Sequence, residues 1–213
     1  MNTEELRAVA ATYGTPTYIF NVREVEARIR LLRSLLPEDT GLCFAVKANP
    51  FLIPYVADLV DRLEVCSPGE YEICIQEQIA PEKIVVSGVN KTYESMKRIL
   101  SYSKGAGIYT IESEEHAKIL RTLAEKNQMP LSVLIRLSSG NQFGVDAETF
   151  FRLAKEIQES PAQSSFYSML QPSCQASSCR HTQLQIQAAL LHITQMQYPA
   201  GLRRLQVRPV FCH

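Results

Sequence analysis

The sequence predicts an α/β fold built on a parallel sheet, and three observations carry that reading. Short apolar runs of strand length alternate with helical patterns at intervals of roughly 20–25 residues, the signature of βαβ units. Turn residues such as Gly41, Pro37 and Pro130 bound those runs. The length, 213 residues at 46% hydrophobic, suffices for a sizeable core in one domain.

Each element has its own reason. Leu6–Thr12 reads as a short helix ended by Gly14, and Thr17–Phe20 as a β-rich run after Pro16. Arg23–Leu36 places Val25, Ile29, Leu32 and Leu36 at helical spacing, and Pro37 closes it. Leu42–Val46 is a buried strand between Gly41 and Lys47. Pro54–Val60 suits a helix with proline in its first turn. Leu63–Cys66 is the second strand, followed by a helix from Gly69 to about Gln78. Ile84–Val86 is the third, Ser87–Asn90 a turn and Tyr93–Tyr102 a helix. Ile108–Ile111 is the fourth strand. Ser113 opens a helix with Glu114 and Glu115 in its first turn, where acids suit the dipole. Leu131–Leu137 is the fifth strand, Gly140 and Gly144 bracket a loop, and Asp146 caps a helix running to about Glu159. Both a doubly wound sheet and a (β/α)₈ barrel fit five such strands. A barrel needs three more.

Composition excludes several classes. Lys+Arg and Asp+Glu are both 22, so no basic excess points to a nucleic-acid partner. No apolar run approaches the ~18 residues of a membrane span. The start, MNTEELRAVA, carries two early acids and no apolar core of a secretory signal. The expectation is a cytoplasmic chain whose six cysteines are thiols.

The averages conceal a break. All 22 acids lie at or before Glu159, and residues 160–213 contain no Asp, Glu or Lys. The same stretch holds nine glutamines and Cys174, Cys179 and Cys212. The expected division is therefore a partial barrel over residues 1–159 and an atypical, acid-free tail over 160–213. Two readings fit so abrupt a shift: a tail that tolerates biased composition or, the sharper expectation, a frameshift or splice change. Cys174, Cys179 and His181 match no established zinc spacing. Leu184–Gln197 reads at most as a weak helix.

Chemistry in either architecture belongs at the C-terminal ends of the strands. The first strand ends Phe44-Ala45-Val46-Lys47-Ala48-Asn49-Pro50. A lysine there either snorkels or stands in a dry mouth, where desolvation would expose its nucleophilic amine. The second ends Glu64-Val65-Cys66-Ser67-Pro68-Gly69-Glu70. Glu64 interrupts an apolar strand, and Ser67 and Glu70 stand where a helix cap would. The third ends Ser87-Gly88-Val89-Asn90-Lys91, by itself a loop. The fifth carries Arg136 within apolar residues, which demands a buried acidic or phenolate partner.

Together with Thr15-Pro16-Thr17-Tyr18 and Phe143-Gly144, these motifs come in the order and spacing of the fold-type III pyridoxal-phosphate decarboxylases, which the chain resembles over about residues 13–158. That family includes diaminopimelate and ornithine/arginine decarboxylases and shares its barrel with alanine racemases. The resemblance implies an incomplete pyridoxal-phosphate-binding (β/α)₈ barrel of about five units. It implies pyridoxal 5'-phosphate as cofactor, a small diamino or basic amino acid as substrate, and homodimers among intact members. Lys47 resembles the Schiff-base lysine, and Glu64 falls at the acidic position after the second strand, near the cofactor. Ser67 and Glu70 match the Ser-x-Gly-Glu motif, which puts Ser67 among the expected cofactor-binding residues, and Arg136 matches a strand arginine close to the ring. Gln142 replaces the lysine of the diaminopimelate branch's Lys-Phe-Gly.

The resemblance stops near Ser160. The family's next strand should carry a histidine in His-x-Gly-(Ser/Thr)-Gln, where this chain has Ser165-Phe166-Tyr167-Ser168. A phosphate-binding glycine triplet, the Glu-(Pro/Ala)-Gly-Arg loop and the C-terminal β domain do not follow. The expectation is a chain of decarboxylase ancestry that is itself inactive. A racemase or cofactor carrier on the same barrel, or a non-catalytic fragment, is the alternative.

Overall fold

Six parallel strands lie side by side in chain order: β1 Cys43–Ala45, β2 Arg62–Val65, β3 Ile84–Val86, β4 Ile108–Ile111, β5 Ser132–Leu137 and β6 Ser165–Leu170. The computed structural model describes residues 2–38, 40–138 and 143–158, and the backbone of 165–170. Helices α1 (Thr3–Tyr13) and α2 (Val22–Leu35) precede the sheet. The crossovers carry α3 (Ile53–Val56), α4 (Pro68–Gln76), α5 (Tyr93–Ser103), α6 (Glu114–Asn127) and α7 (Ala147–Gln158).

The order decides between the two architectures. A doubly wound sheet reverses direction at a switch point. Here each strand is added beside the last, the winding of a barrel. Parallel crossovers are right-handed, so unreversed winding puts the helices on one face. Strand side chains alternate between faces. Leu63, Val65, Ile84, Val86, Tyr109, Ile111, Val133 and Ile135 are all buried, and they form the core beneath the helices.

The opposite face is the one that holds chemistry. Register aligns Glu64 with Val85, Val85 with Ile108, and Ile108 with Ser132, all half-buried. Further toward the C-terminal ends on the same face come Cys66, Ser87 and Thr110. Beyond them lies Glu112, one residue past β4, beside Arg136 on β5. β6 continues the sheet in register, with Met169 opposite Arg136.

The sequence places β3 and β4 to the residue, and the other three predicted strands to within one residue at each end. β6 falls where the resemblance puts the family's next strand, six residues past Glu159, so the sheet runs into the acid-free segment. Cys174, Cys179, His181 and the 184–197 pattern lie outside the described residues, as do Gly140 and Gln142.

Two expectations are corrected. Thr17–Phe20 forms no strand: it has no partner ladder, and Tyr18 is 90% exposed. β-branched and aromatic residues make a strand only where neighbours pair with them. The predicted helix at Pro54–Val60 is a single turn, Ile53–Val56, approached through two 3₁₀ turns, Val46–Ala48 and Pro50–Leu52. Asp146 does cap α7, its carboxylate accepting the Thr149 N–H at 2.8 Å.

Candidate cofactor site

Lys47 stands in the 3₁₀ turn directly after β1, with its side chain exposed. It is therefore not in a dry mouth in this chain. Position alone makes the amine accessible from the C-terminal end of the sheet. Glu64 lies within β2, half-buried on the open face.

Cys66 reports how close these groups are. Burial pushes its thiol up, Glu64 raises it further, and the Lys47 charge draws it back; Glu70 and Glu112 add to the rise. One thiol thus feels Lys47, Glu64 and Glu112 together.

Ser67 has a local role of its own. It is the N-cap of α4: its Oγ accepts the Glu70 N–H at 3.2 Å and donates to Glu70 Oε1 at 3.1 Å. Glu70 Oε2 accepts the Cys66 N–H at 2.9 Å. Ser67 thus satisfies a helix-start donor, while Glu70 reaches back past the cap to the residue before it.

Arg136 has the buried acidic partner that its place in an apolar strand demands. Its Nη1 donates to Glu112 Oε2 at 2.8 Å, and Phe143 packs against the guanidinium 5.0 Å from its ring centroid. Glu112 is also 3.8 Å from Lys91 Nζ. Burial pushes the Glu112 carboxyl up, but the Lys91 and Arg136 charges outweigh it and hold the group below the usual carboxylate range. Burial lowers Lys91 to about 8 even though Glu112, Cys66 and Glu64 raise it.

Sequence reasoning missed Lys91, Glu112 and His116. Lys91 reads as a loop residue, and Glu112 lies between the strand Ile108–Ile111 and the helix that Ser113 opens. For Glu112 the available signal was the one used for Lys47, a charge directly following an apolar strand; Lys91, five residues past β3, and His116, inside α6, carry no such signal. His116 Nδ1 accepts the Glu112 N–H at 3.3 Å and its Nε2 faces the Val89 carbonyl at 3.2 Å, so the proton sits on Nε2. The ring thereby ties the loop after β3 to the turn after β4. Gly88 in that loop has φ +81°, and a Cβ there would lie 2.3 Å from the Cys66 carbonyl oxygen. Only glycine permits this approach.

The strand ends thus gather an accessible lysine, a half-buried carboxylate and an anchored arginine on one face. These fit the aldehyde and ring end of pyridoxal phosphate: an amine for the carbonyl, and charged groups of both signs beside it. A barrel-wound parallel sheet with such a constellation defines a cofactor-binding barrel domain. The chain belongs to the pyridoxal-dependent decarboxylases, matching the family's pyridoxal binding domain over residues 22–159. The cofactor that goes with that domain is pyridoxal 5'-phosphate.

Relatives agree. The chain is 32% identical over 157 residues to diaminopimelate decarboxylase of Pseudomonas aeruginosa, covering 72% of this chain and 36% of that protein. It is 35% identical over 153 residues to that of Actinosynnema pretiosum, covering 71% and 33%. Among solved structures, diaminopimelate decarboxylase of Helicobacter pylori complexed with L-lysine has TM-score 0.72 at 18% identity, covering 91% of this chain and 53% of that one. Lysine/ornithine decarboxylase of Vibrio vulnificus complexed with putrescine has TM-score 0.69 at 17% identity, covering 88% and 54%. The two structures share the fold. The chain spans about a third of the length of the curated relatives it matches. Among the described residues no helix is long and apolar enough to cross a membrane, and no cluster of three or more His, Cys, Asp or Glu could hold a metal ion.

Proposed function

We propose that this chain is the cofactor-binding part of a decarboxylase acting on a small diamino or basic amino acid, with Lys47 the residue that joins the cofactor aldehyde. The observation that carries this is the exposure of Lys47 at the end of β1, on the same sheet end as Glu64 and Arg136. The relatives named diaminopimelate decarboxylase, and the lysine and putrescine held by the two neighbours, support the substrate class.

Each residue has a definite task in this reading. Lys47 would hold the cofactor at its carbonyl carbon through the side-chain amine. Glu64 offers a carboxylate beside the ring, and Arg136 offers guanidinium N–H groups to an anionic oxygen. Bound pyridoxal phosphate supplies a ring that accepts the electron pair left when CO₂ departs. Ser67 serves the site through α4, whose start it caps.

The acid-free run after Glu159 favours a second reading, a chain that takes the cofactor without decarboxylating. One experiment separates them. The purified chain and Lys47→Ala are titrated with pyridoxal phosphate, following Schiff-base absorbance. CO₂ release from labelled diaminopimelate, lysine and ornithine is then measured. Saturable, Lys47-dependent absorbance with CO₂ release supports the decarboxylase. Absorbance without CO₂ release supports the second reading. Absorbance unchanged in Lys47→Ala refutes both.

A further inference from the structure

The ends of β3, β4 and β5 hold a buried network that the tasks above do not use. The side chains of Lys91 and Glu112 are each 1% exposed. Lys91 Nζ donates to the Gly88 carbonyl and to Thr110 Oγ1, the latter at 3.0 Å. Thr110 Oγ1 donates in turn to Glu112 Oε1 at 3.2 Å, and Ser87 Oγ reaches the same oxygen at 3.5 Å. With the Lys91 ammonium 3.8 Å away, Oε1 is engaged from three sides. Oε2 takes the Arg136 Nη1 bond at 2.8 Å.

Arginine and carboxylate left to themselves close into two parallel N–H···O bonds. Here the carboxylate offers Arg136 one oxygen, because the other is held. Arg136 itself is 13% exposed and lies on the open face.

We propose that Lys91 is a positioning residue: with Thr110 and Ser87 it holds Glu112 Oε1, so that Glu112 takes a single Arg136 N–H and, among the described residues, the rest of the guanidinium stays available to an anionic oxygen on the open face. This rests on the reading that the open face takes the cofactor. Lys91 touches neither cofactor nor substrate. Its effect passes through Thr110 and Glu112 to Arg136.

The test uses the full chain with ¹⁵N-labelled arginine. Arg136→Lys assigns the Arg136 signals. In Lys91→Met the freed carboxylate turns and takes a second Arg136 N–H, whose exchange with water slows roughly tenfold. Thr110→Val keeps size and charge, cuts the same chain, and changes exchange in the same direction. It decides the matter alone if Lys91→Met does not fold. An Arg136 exchange pattern unchanged in the folded variants overturns the proposal, whatever happens to thermal stability.

A second arm separates this from the cofactor reading. Lys91→Met weakens pyridoxal-phosphate binding about tenfold in the wild-type background, and not at all in the Arg136→Met background. Equal weakening in both backgrounds overturns action through Arg136. A wild type without Schiff-base absorbance refutes the cofactor reading, and the exchange arm still decides the positioning role.

Discussion

Replacing Glu112 by glutamine keeps the side chain's size and removes the carboxylate shared by Lys91 and Arg136. Two costs follow. Lys91 titrates near 8 with Glu112 beside it, against an ordinary 10.5. Without that anion the ammonium gives up its proton at pH 7, and shedding a proton one unit below the pKa costs about 1.4 kcal/mol. The lost charge-assisted bond from Arg136 adds about 1.5–3 kcal/mol. Glu112→Gln is therefore about 3–4 kcal/mol less stable at pH 7, at the low end of what breaking a buried ion pair costs.

The pH dependence is the sharper part of this prediction. Between about 8 and 10.5 the unfolded chain holds the Lys91 proton and the native chain does not, so this group makes wild-type stability rise with pH across that window. In the variant the same rise starts at lower pH, and the two curves converge. By pH 9 wild-type Lys91 is itself neutral, and the deficit falls to about 2 kcal/mol. Urea denaturation at pH 7 and pH 9, followed by circular dichroism, measures both values. A deficit equal at the two pH values, or below about 1 kcal/mol at pH 7, would refute the argument that Glu112 keeps Lys91 charged.

Three further outcomes are expected. Gly88→Ala puts a Cβ against the Cys66 carbonyl at positive φ and costs at least about 2 kcal/mol, read as a fall in melting temperature. Ser67→Ala costs about 1 kcal/mol through the lost cap of α4, while Ser67→Asp retains stability. Both leave pyridoxal-phosphate affinity unchanged, and a loss of affinity in Ser67→Asp would show that the hydroxyl contacts the cofactor. His116 is lowered by burial and by Lys91, so its ring titrates below 6.5 in ¹⁵N NMR. The unfolded chain takes that proton first, and stability falls as pH drops through 6.5.

The legible part of this molecule is its winding. Each of the first five strands announced itself as an apolar run between turn residues, and burial beneath helices enforces that pattern in β2 to β5. Lys47 and Arg136 were legible because a charge against an apolar run is anomalous, and Arg136 did meet a buried acid. Which acid was not legible: Glu112 and Arg136 are separated by a whole helix, and parallel register, which no local pattern encodes, brings them together. Thr17–Phe20 failed for the converse reason, since its residues favour a strand and no neighbour supplies one. Ser67 was read both as a cap and as a motif residue, and its hydrogen bonds show the cap.

The chain-order sheet bears on synthesis. Every ladder joins strands consecutive in sequence, so each contact closes a single crossover and none waits for distant sequence. A newly emerged β/α unit docks on the edge left by the one before it, without waiting for distant sequence. Lys47 follows the first strand and Arg136 lies on the fifth, so the amine is in place early and the guanidinium arrives several units later. The two are assembled in translation order, and the sheet grows from the amine toward the guanidinium.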